Sequence, residues 1–346
     1  MKRLVICCDG TWNKPTQSRG GKICPTNVFT LSEAVSDVDA HGVQQHTYYQ
    51  AGVGTRASER LRGGIFGFGL SRDVQSAYRY VVDNFEEGDE LFFFGFSRGA
   101  YTARSAVGFI RNSGVLRREH ADRVAEAYSL YRDRKRHPTS GVAERFRQKY
   151  STETRIRFIG VWDTVGALGI PLSGLKVVGL VNKRWQFHDT DLSTRVDSAY
   201  QAVAIDERRS AFRPTLWSQQ ADAGDQTLEQ VWFTGVHSDV GGGYLDGRLA
   251  DLALRWMSGR AGACGLELSD PFDVDVKEAA LGRAHESFRG FYKLCGTYRR
   301  PIGEAPTGAE SVASSAVDRR DALATYRVPG LETFLERTDR RVTEVT

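Results

Sequence analysis

One run limits the possible folds of this chain more than any other. Leu91-Phe92-Phe93-Phe94 is its most strongly apolar stretch, and it leads directly into Gly95-Phe96-Ser97-Arg98-Gly99. A short apolar run bounded by turn residues reads as a buried strand. Beyond the serine, Gly99, Ala100, Ala103 and Ala106 give the next segment small side chains, which lets a helix lie close against a sheet. Ser97 therefore sits on a sharp strand-to-helix turn, with glycine two residues to either side where that strained backbone needs it. A serine hydroxyl is a poor nucleophile unless it is exposed, oriented and set beside a base, and such a turn exposes it. The helix start also offers the backbone N–H of Arg98 to a developing oxyanion. The bland alternative is a structural turn with an idle serine; the apolar strand before it and the small-residue helix after it favour the nucleophile.

The rest of the chain repeats the strand–helix alternation. Leu4–Cys8 is a short apolar strand ending at Asp9-Gly10-Thr11, and Thr26-Asn27 caps a helix through Val35. Thr47–Gln50, Arg155–Trp162 and Val231–Val236 are further strands, and Ser71 is expected to cap a helix carrying Val74, Ala77, Tyr78, Val81 and Val82. Gly52 to Gly69 reads as an irregular loop; its glycine spacing does not make a phosphate-binding fingerprint. Two arginine-rich helical stretches are expected between Glu119 and Tyr150. The alternation predicts an α/β fold of the α/β-hydrolase kind, a mostly parallel sheet with helices on both faces. Residues 1–300 are assigned to that catalytic domain. Residues 166–200 interrupt the strand series and are expected to form a cap or lid. Its Ile170, Leu172, Leu175, Val177, Val178 and Leu180 suit an acyl pocket or an ordinary core equally. The residues after about Gly296 are expected to be extended or irregular, without chemistry of their own, and 301–346 to pack on the domain as a C-terminal extension.

In parallel sheets, ligand sites form beyond the carboxyl ends of the strands. Asp9, Ser97, Asp163 and His237 each follow an apolar strand, so an acid, a nucleophile and a base are delivered to one edge. His237 opens a loop containing Gly241-Gly242-Gly243 and is the expected base, with His285 its rival. Asp163, ending the strand after the elbow, is the expected acid, with Asp239 its alternate, because a carboxylate there would orient the imidazole and stabilise its cation. Gly10 and Thr11 could supply a second oxyanion donor alongside Arg98. A competing reading gathers Asp9, Asp163, His237 and Asp239 around a hard divalent cation in a metal-assisted hydrolase; no HExxH or EF-hand pattern accompanies it, and no cofactor is expected.

Composition narrows the function classes. A net charge of +4 on 346 residues is too small to argue for nucleic acid. The odd cysteine count, five without CxxC spacing, fits neither a disulfide framework nor a zinc site. The N-terminal apolar run is too short for a signal peptide, and nothing reaches the length of a membrane span. The expectation is a soluble protein, cytoplasmic as encoded, with any export by a signal-peptide-independent route. Basic residues from Arg117 to Arg136 raise the further option of a non-catalytic binding module, but interleaved Glu119, Asp122, Glu126 and Asp133 read as a solvated face.

Five ordered motifs carry a resemblance. Cys8-Asp9-Gly10-Thr11-Trp12-Asn13, Gly95-Phe96-Ser97-Arg98-Gly99-Ala100-Tyr101-Thr102-Ala103-Arg104, Val161-Trp162-Asp163-Thr164-Val165, Ala204-Ile205-Asp206-Glu207-Arg208-Arg209 and Gly235-Val236-His237-Ser238-Asp239-Val240-Gly241-Gly242-Gly243-Tyr244 together resemble the type VI secretion phospholipase effector family. That resemblance implies a Ser-Asp-His hydrolase with Ser97 as nucleophile, phospholipid or another ester as substrate, and peripheral contact with a membrane. Family members often carry a histidine just before the Ala-x-Asp-Glu-Arg motif, where this chain has Tyr200-Gln201; if that histidine is their base, His237 or His285 must serve here. The effectors also carry additional membrane-engaging regions, whereas this chain ends soon after the catalytic portion.

Overall fold

A computed structural model describes residues 1–10, 13, 17–52, 66–133, 135–166, 191–269, 272–294, 296–305 and 309–345. Most of the expected cap, 167–190, with its six apolar residues, lies outside the described residues, as does Thr11.

Eight strands form one sheet: β1 (Arg3–Cys8), β2 (Gln45–Gln50), β3 (Glu90–Phe96), β4 (Ile156–Trp162), β5 (Val196–Ala204), β6 (Thr227–Phe233), β7 (Glu310–Ala313) and β8 (Val342–Thr343). Their spatial order is β2-β1-β3-β4-β5-β6-β7-β8, and every pairing is parallel. The helices that matter are α1 (Asn27–Ala34), α2 (Phe66–Asn84), α3 (Arg98–Ser113), α4 (Val124–Arg132), α5 (Gly141–Tyr150), α6 (His237–Gly241), α7 (Arg248–Ala263), α8 (Ser314–Ala322) and α9 (Pro329–Leu335).

Strands covered on both faces must be apolar at every position, which is why the strongest strands read as continuous runs. In β1, Leu4, Ile6 and Cys8 join a core with α2, α3, α4 and α5, while Val5 and Cys7 join the opposite core with α1 and α7. In β3, Leu91 and Phe93 face the first core, Phe92 and Phe94 the second. All of these side chains are essentially inaccessible to water. Truncating one of the buried phenylalanines to alanine removes contacts worth about 3–5 kcal/mol.

The strand order also places the site. From β1 the chain moves outward to β2, then crosses back to β3 on β1's other side. The crevice at such a reversal opens beyond the carboxyl ends of the two flanking strands. Asp9 follows β1 there and Ser97 follows β3.

Three expectations need correction. Ser71 lies inside α2, which is already helical from Phe66 and includes Gly67 and Gly69; residues 53–65 of the expected loop lie outside the described residues. The interval 166–200 contains the start of β5, a central strand, so the strand series resumes at Val196. The C-terminal residues are regular: β7 and β8 extend the sheet, and α8 and α9 help enclose a third core containing Trp232, Ile302, Val312, Ala316, Leu331 and Phe334. The arginine-rich stretch around α4 and α5 carries the ion pairs its acidic residues promise, among them Arg123–Glu126 at 2.7 Å and Arg136–Asp133 at 3.1 Å.

Candidate active site

The turn at Ser97 is as tight as its sequence demands. Ser97 has φ 58° and ψ −118°, a backbone conformation that L side chains rarely adopt. Its two glycines are required by close approach. A Cβ on Gly95 would lie 2.6 Å from the backbone of Gly99 and Ala100, and one on Gly99 would lie 2.0 Å from the Cys8 carbonyl oxygen. The Ser97 N–H donates to the Trp162 carbonyl at 3.1 Å, which ties the elbow to the end of β4.

His237, the first residue of α6, holds its Nε2 2.8 Å from Ser97 Oγ. Its Nδ1 lies 2.6 Å from Asp163 Oδ2. An ionised carboxylate only accepts, so Nδ1 carries the proton and Nε2 is left to accept from the serine hydroxyl. Ser97, His237 and Asp163 are thus brought together from the ends of β3, β6 and β4, across 140 and 74 residues of sequence separation. Asp163, like Ser97, has a positive φ, of 40°. The imidazole is walled by Phe96 and Phe212, with ring centroids at 4.6 and 4.9 Å.

A fourth residue completes the line. Arg300 grips Asp163 with both ends of its guanidinium, Nη1 to Oδ1 at 2.5 Å and Nη2 to Oδ2 at 3.0 Å. It also donates to the carbonyls of Ala204 and Phe212 at 2.8 and 2.6 Å, and neither its side chain nor that of Asp163 is exposed. Burial alone would push the Asp163 carboxyl up, but Arg300, and then His237, outweigh it and hold it well below the usual carboxylate range. Burial pulls His237 below its ordinary value against the opposing pull of Asp163. The site therefore pairs a fixed carboxylate with an imidazole that is neutral at pH 7, the state a general base requires.

Arg300 falls in the segment from which no chemistry was expected. Its only sequence signal is the rule that a buried carboxylate needs a partner, which does not say which arginine supplies it. Two other contributors lie in a motif already singled out. Asp206 accepts the Gly235 N–H at 2.6 Å, and Glu207 accepts the His237 N–H at 3.3 Å while pairing with Arg209. The Asp-Glu-Arg run thus holds the histidine loop in place. Gln201 points elsewhere, to the Thr215 carbonyl at 3.3 Å, and the tyrosine–glutamine departure leaves His237 in position.

The remaining candidates separate. His285 is bonded through Nδ1 to Asp239 at 2.6 Å and stacks on Tyr244, with no contact to Ser97 among the described residues. Asp239 meanwhile accepts the N–H groups of Val236 and His285, both at 3.0 Å. Asp9 is buried and fully engaged, taking Thr26 and Tyr49 hydroxyls at 2.6 Å each, the Gly10 N–H at 2.6 Å and Asn13 at 3.2 Å. The Gly10 N–H expected at an oxyanion is therefore spent on Asp9; what Gly10 provides is proximity, since a Cβ there would stand 3.3 Å from Ser97 Cβ. Arg98 is the first residue of α3, where backbone N–H groups precede the helical ladder. Asp163 and His237 bind each other while Asp9 and Asp239 are held by other partners, and no cluster of three or more such side chains suited to a cation occurs among the described residues.

The chain resembles known proteins in sequence and in fold. An uncharacterized protein of Saccharomyces cerevisiae is 29% identical over 236 residues, covering 61% of this chain and 32% of the relative. The chain thus spans about a third of that relative's length. The crystal structure of an uncharacterized protein from Pseudomonas aeruginosa superposes with a TM-score of 0.52 at 18% identity, over 80% of this chain and 49% of the other, a likeness of fold. The family model of the type VI secretion system phospholipase effector Tle1-like catalytic domain matches residues 2–260, which spans the elbow, Asp163 and His237. With that match over most of its length, the chain belongs to the Tle1-like phospholipase effector catalytic-domain family.

Proposed function

We propose that this protein is a serine carboxylic-ester hydrolase that cleaves acyl esters of phospholipids. The observation that carries the reading is the unbroken hydrogen-bonded line Ser97–His237–Asp163–Arg300. In this scheme Ser97 Oγ attacks the ester carbonyl while His237 Nε2 takes its proton, and Asp163 stabilises the resulting imidazolium. The tetrahedral oxyanion is met by the Arg98 N–H at the start of α3. Collapse breaks the acyl–oxygen bond, and the alcohol leaves with the proton from His237. Water activated by the same imidazole then attacks the acyl-enzyme, releasing the fatty acid and restoring Ser97. Arg300 keeps Asp163 ionised and fixed without touching substrate, so it is a positioning residue. No helix among the described residues is long and apolar enough to cross a membrane.

The test is turnover of a short-chain acyl ester and of a diacyl phospholipid by the wild-type chain and by Ser97→Ala. Hydrolysis by the wild type that Ser97→Ala abolishes supports the reading. Loss of wild-type activity on adding a strong chelator would instead favour the metal-assisted alternative.

A further inference from the structure

A polar cavity adjoins the wall of this site. It has a volume of about 380 Å³ and is lined by Arg209, Tyr244, Arg283, His285, Ser287 and Arg289, together with Ala284 and Glu286. Its lining carries three guanidinium groups and a single carboxylate, and that carboxylate is already paired with Arg208. Among the described residues neither the Arg283 nor the Arg289 guanidinium pairs with a carboxylate, although the Arg283 backbone N–H donates to Asp246 at 3.3 Å, and both residues are exposed. Arg209 gives Nε and Nη2 to Glu207 at 2.9 and 2.7 Å. Glu207 in turn accepts from Ser287 at 2.9 Å, so one carboxylate fixes both a cationic and a hydroxyl member of the lining. The Asp239 contact orients His285 through Nδ1.

The cavity and the nucleophile share a partition. The Arg209 guanidinium lies over the Phe212 ring at 3.5 Å, and the same ring meets His237 at 4.9 Å. One phenyl ring therefore separates a fixed cation from the base. In a glycerophospholipid the phosphate is a few bonds from the acyl carbonyls, so a lipid with its ester at Ser97 carries its anion close by. Arginines outnumbering their acids in a concave site are the chemistry that takes a phosphate, through paired N–H donors to its oxygens.

We propose that this cavity is a phosphate subsite that receives the phosphodiester of the lipid substrate. The proposal rests on the ester-hydrolase reading for its substrate, while the anion site itself stands on the cavity. Free phosphate has the same chemistry, so it must compete.

The experiment has two arms, both on the full chain. In the first, inorganic phosphate is titrated calorimetrically into the Ser97→Ala chain and into the same chain carrying Arg283→Gln and Arg289→Gln. Each lost charge-assisted contact is worth roughly a tenfold change in affinity, screened further by salt, so the triple variant should bind phosphate at least about tenfold more weakly. In the second, turnover of monomeric dihexanoyl phosphatidylglycerol is compared with that of uncharged dihexanoylglycerol. The ratio of their kcat/KM values should fall about tenfold in Arg283→Gln/Arg289→Gln, carried by KM on the phospholipid. Equal phosphate affinity in the two titrated chains overturns the site. Weakened phosphate binding with an unchanged substrate ratio overturns its assignment to the lipid. If the wild type turns over neither substrate, the ester-hydrolase reading fails, and the titration still decides whether the cavity takes an anion.

Discussion

The chain builds two histidine–aspartate pairs with the same bond and gives them different surroundings. His237 meets Asp163, and His285 meets Asp239, each through Nδ1 at 2.6 Å. The first imidazole is buried and places its other nitrogen 2.8 Å from a serine on a strained turn, with its carboxylate gripped by a buried arginine. The second imidazole is half-buried and stacks on Tyr244, and its carboxylate caps a loop through backbone N–H groups. An orienting carboxylate is thus common to both, and it does not by itself make a catalytic base. What differs is the group beyond each pair: a hydroxyl at the sheet switch point for one, the mouth of a cationic cavity for the other.

The strongest way to break that contrast is to remove the first pair's chemistry. His237→Gln should lower ester-hydrolysis kcat by at least about 10⁴-fold, as should Ser97→Ala, because members of such a triad act as a unit. His285→Gln, by contrast, should leave kcat on an uncharged ester within about threefold of wild type, since it removes no proton acceptor from Ser97. Comparable losses in both histidine variants would erase the distinction drawn between the pairs.

Arg300→Met comes next. It leaves Asp163 a buried charge without its cation, a change that costs about 3–5 kcal/mol and should appear as a lowered Tm in thermal unfolding. The wild-type contribution has a definite sign. The Asp163 pKa is depressed on folding, so its stabilisation is fully present above the unfolded value of about 3.9 and is lost as pH falls below it. Among the described residues Asp239 has no such arginine, so Asp239→Asn should destabilise less than Arg300→Met does, by about 1–3 kcal/mol for its loop contacts.

The pH profile sharpens the comparison with a smaller effect. Burial lowers the His237 pKa, so the acid limb of kcat/KM should lie below the ordinary histidine value of about 6.5. Activity then persists as pH drops through 6.5 and declines only beneath it. In Arg300→Lys the carboxylate keeps a cation but loses the two-pronged grip, so the limb should move to higher pH as Asp163 acts on His237 less opposed. A variant with altered stability and an unmoved limb would reduce Arg300 to a purely structural role.

How much of this could be read from the sequence depends on how local each signal is. The elbow is local: strand, glycine, serine, glycine and small-residue helix lie within a short run, and the close contacts at Gly95 and Gly99 explain why. β1 and β3 were legible because strands buried on both faces are continuously apolar, and β4 because its alternating start leads into an apolar run. β5 was not, because Asp197, Ser198 and Gln201 interrupt Val196–Ala204, and its buried Gln201 is satisfied by Thr215, which is distant in sequence. Ser97, Asp163 and His237 were legible as strand ends, which already favoured His237 over His285; the structure adds the distances from His237 to Ser97 and Asp163. Arg300 left no trace, since its meaning depends on a carboxylate 137 residues away. The Gly10 N–H, expected at an oxyanion, is taken by a side chain one residue earlier, a contact that the sequence does not announce.

The central claim is that His237 activates Ser97, and covalent labelling reads this most directly. The full chain is treated with a fluorophosphonate, and the adduct is timed and mapped by mass spectrometry. The account expects one adduct, on Ser97, absent from Ser97→Ala, formed at least about 10³-fold more slowly in His237→Gln and at a near wild-type rate in His285→Gln. An unlabelled folded chain, or an adduct on Ser97 whose rate does not depend on His237, would contradict it.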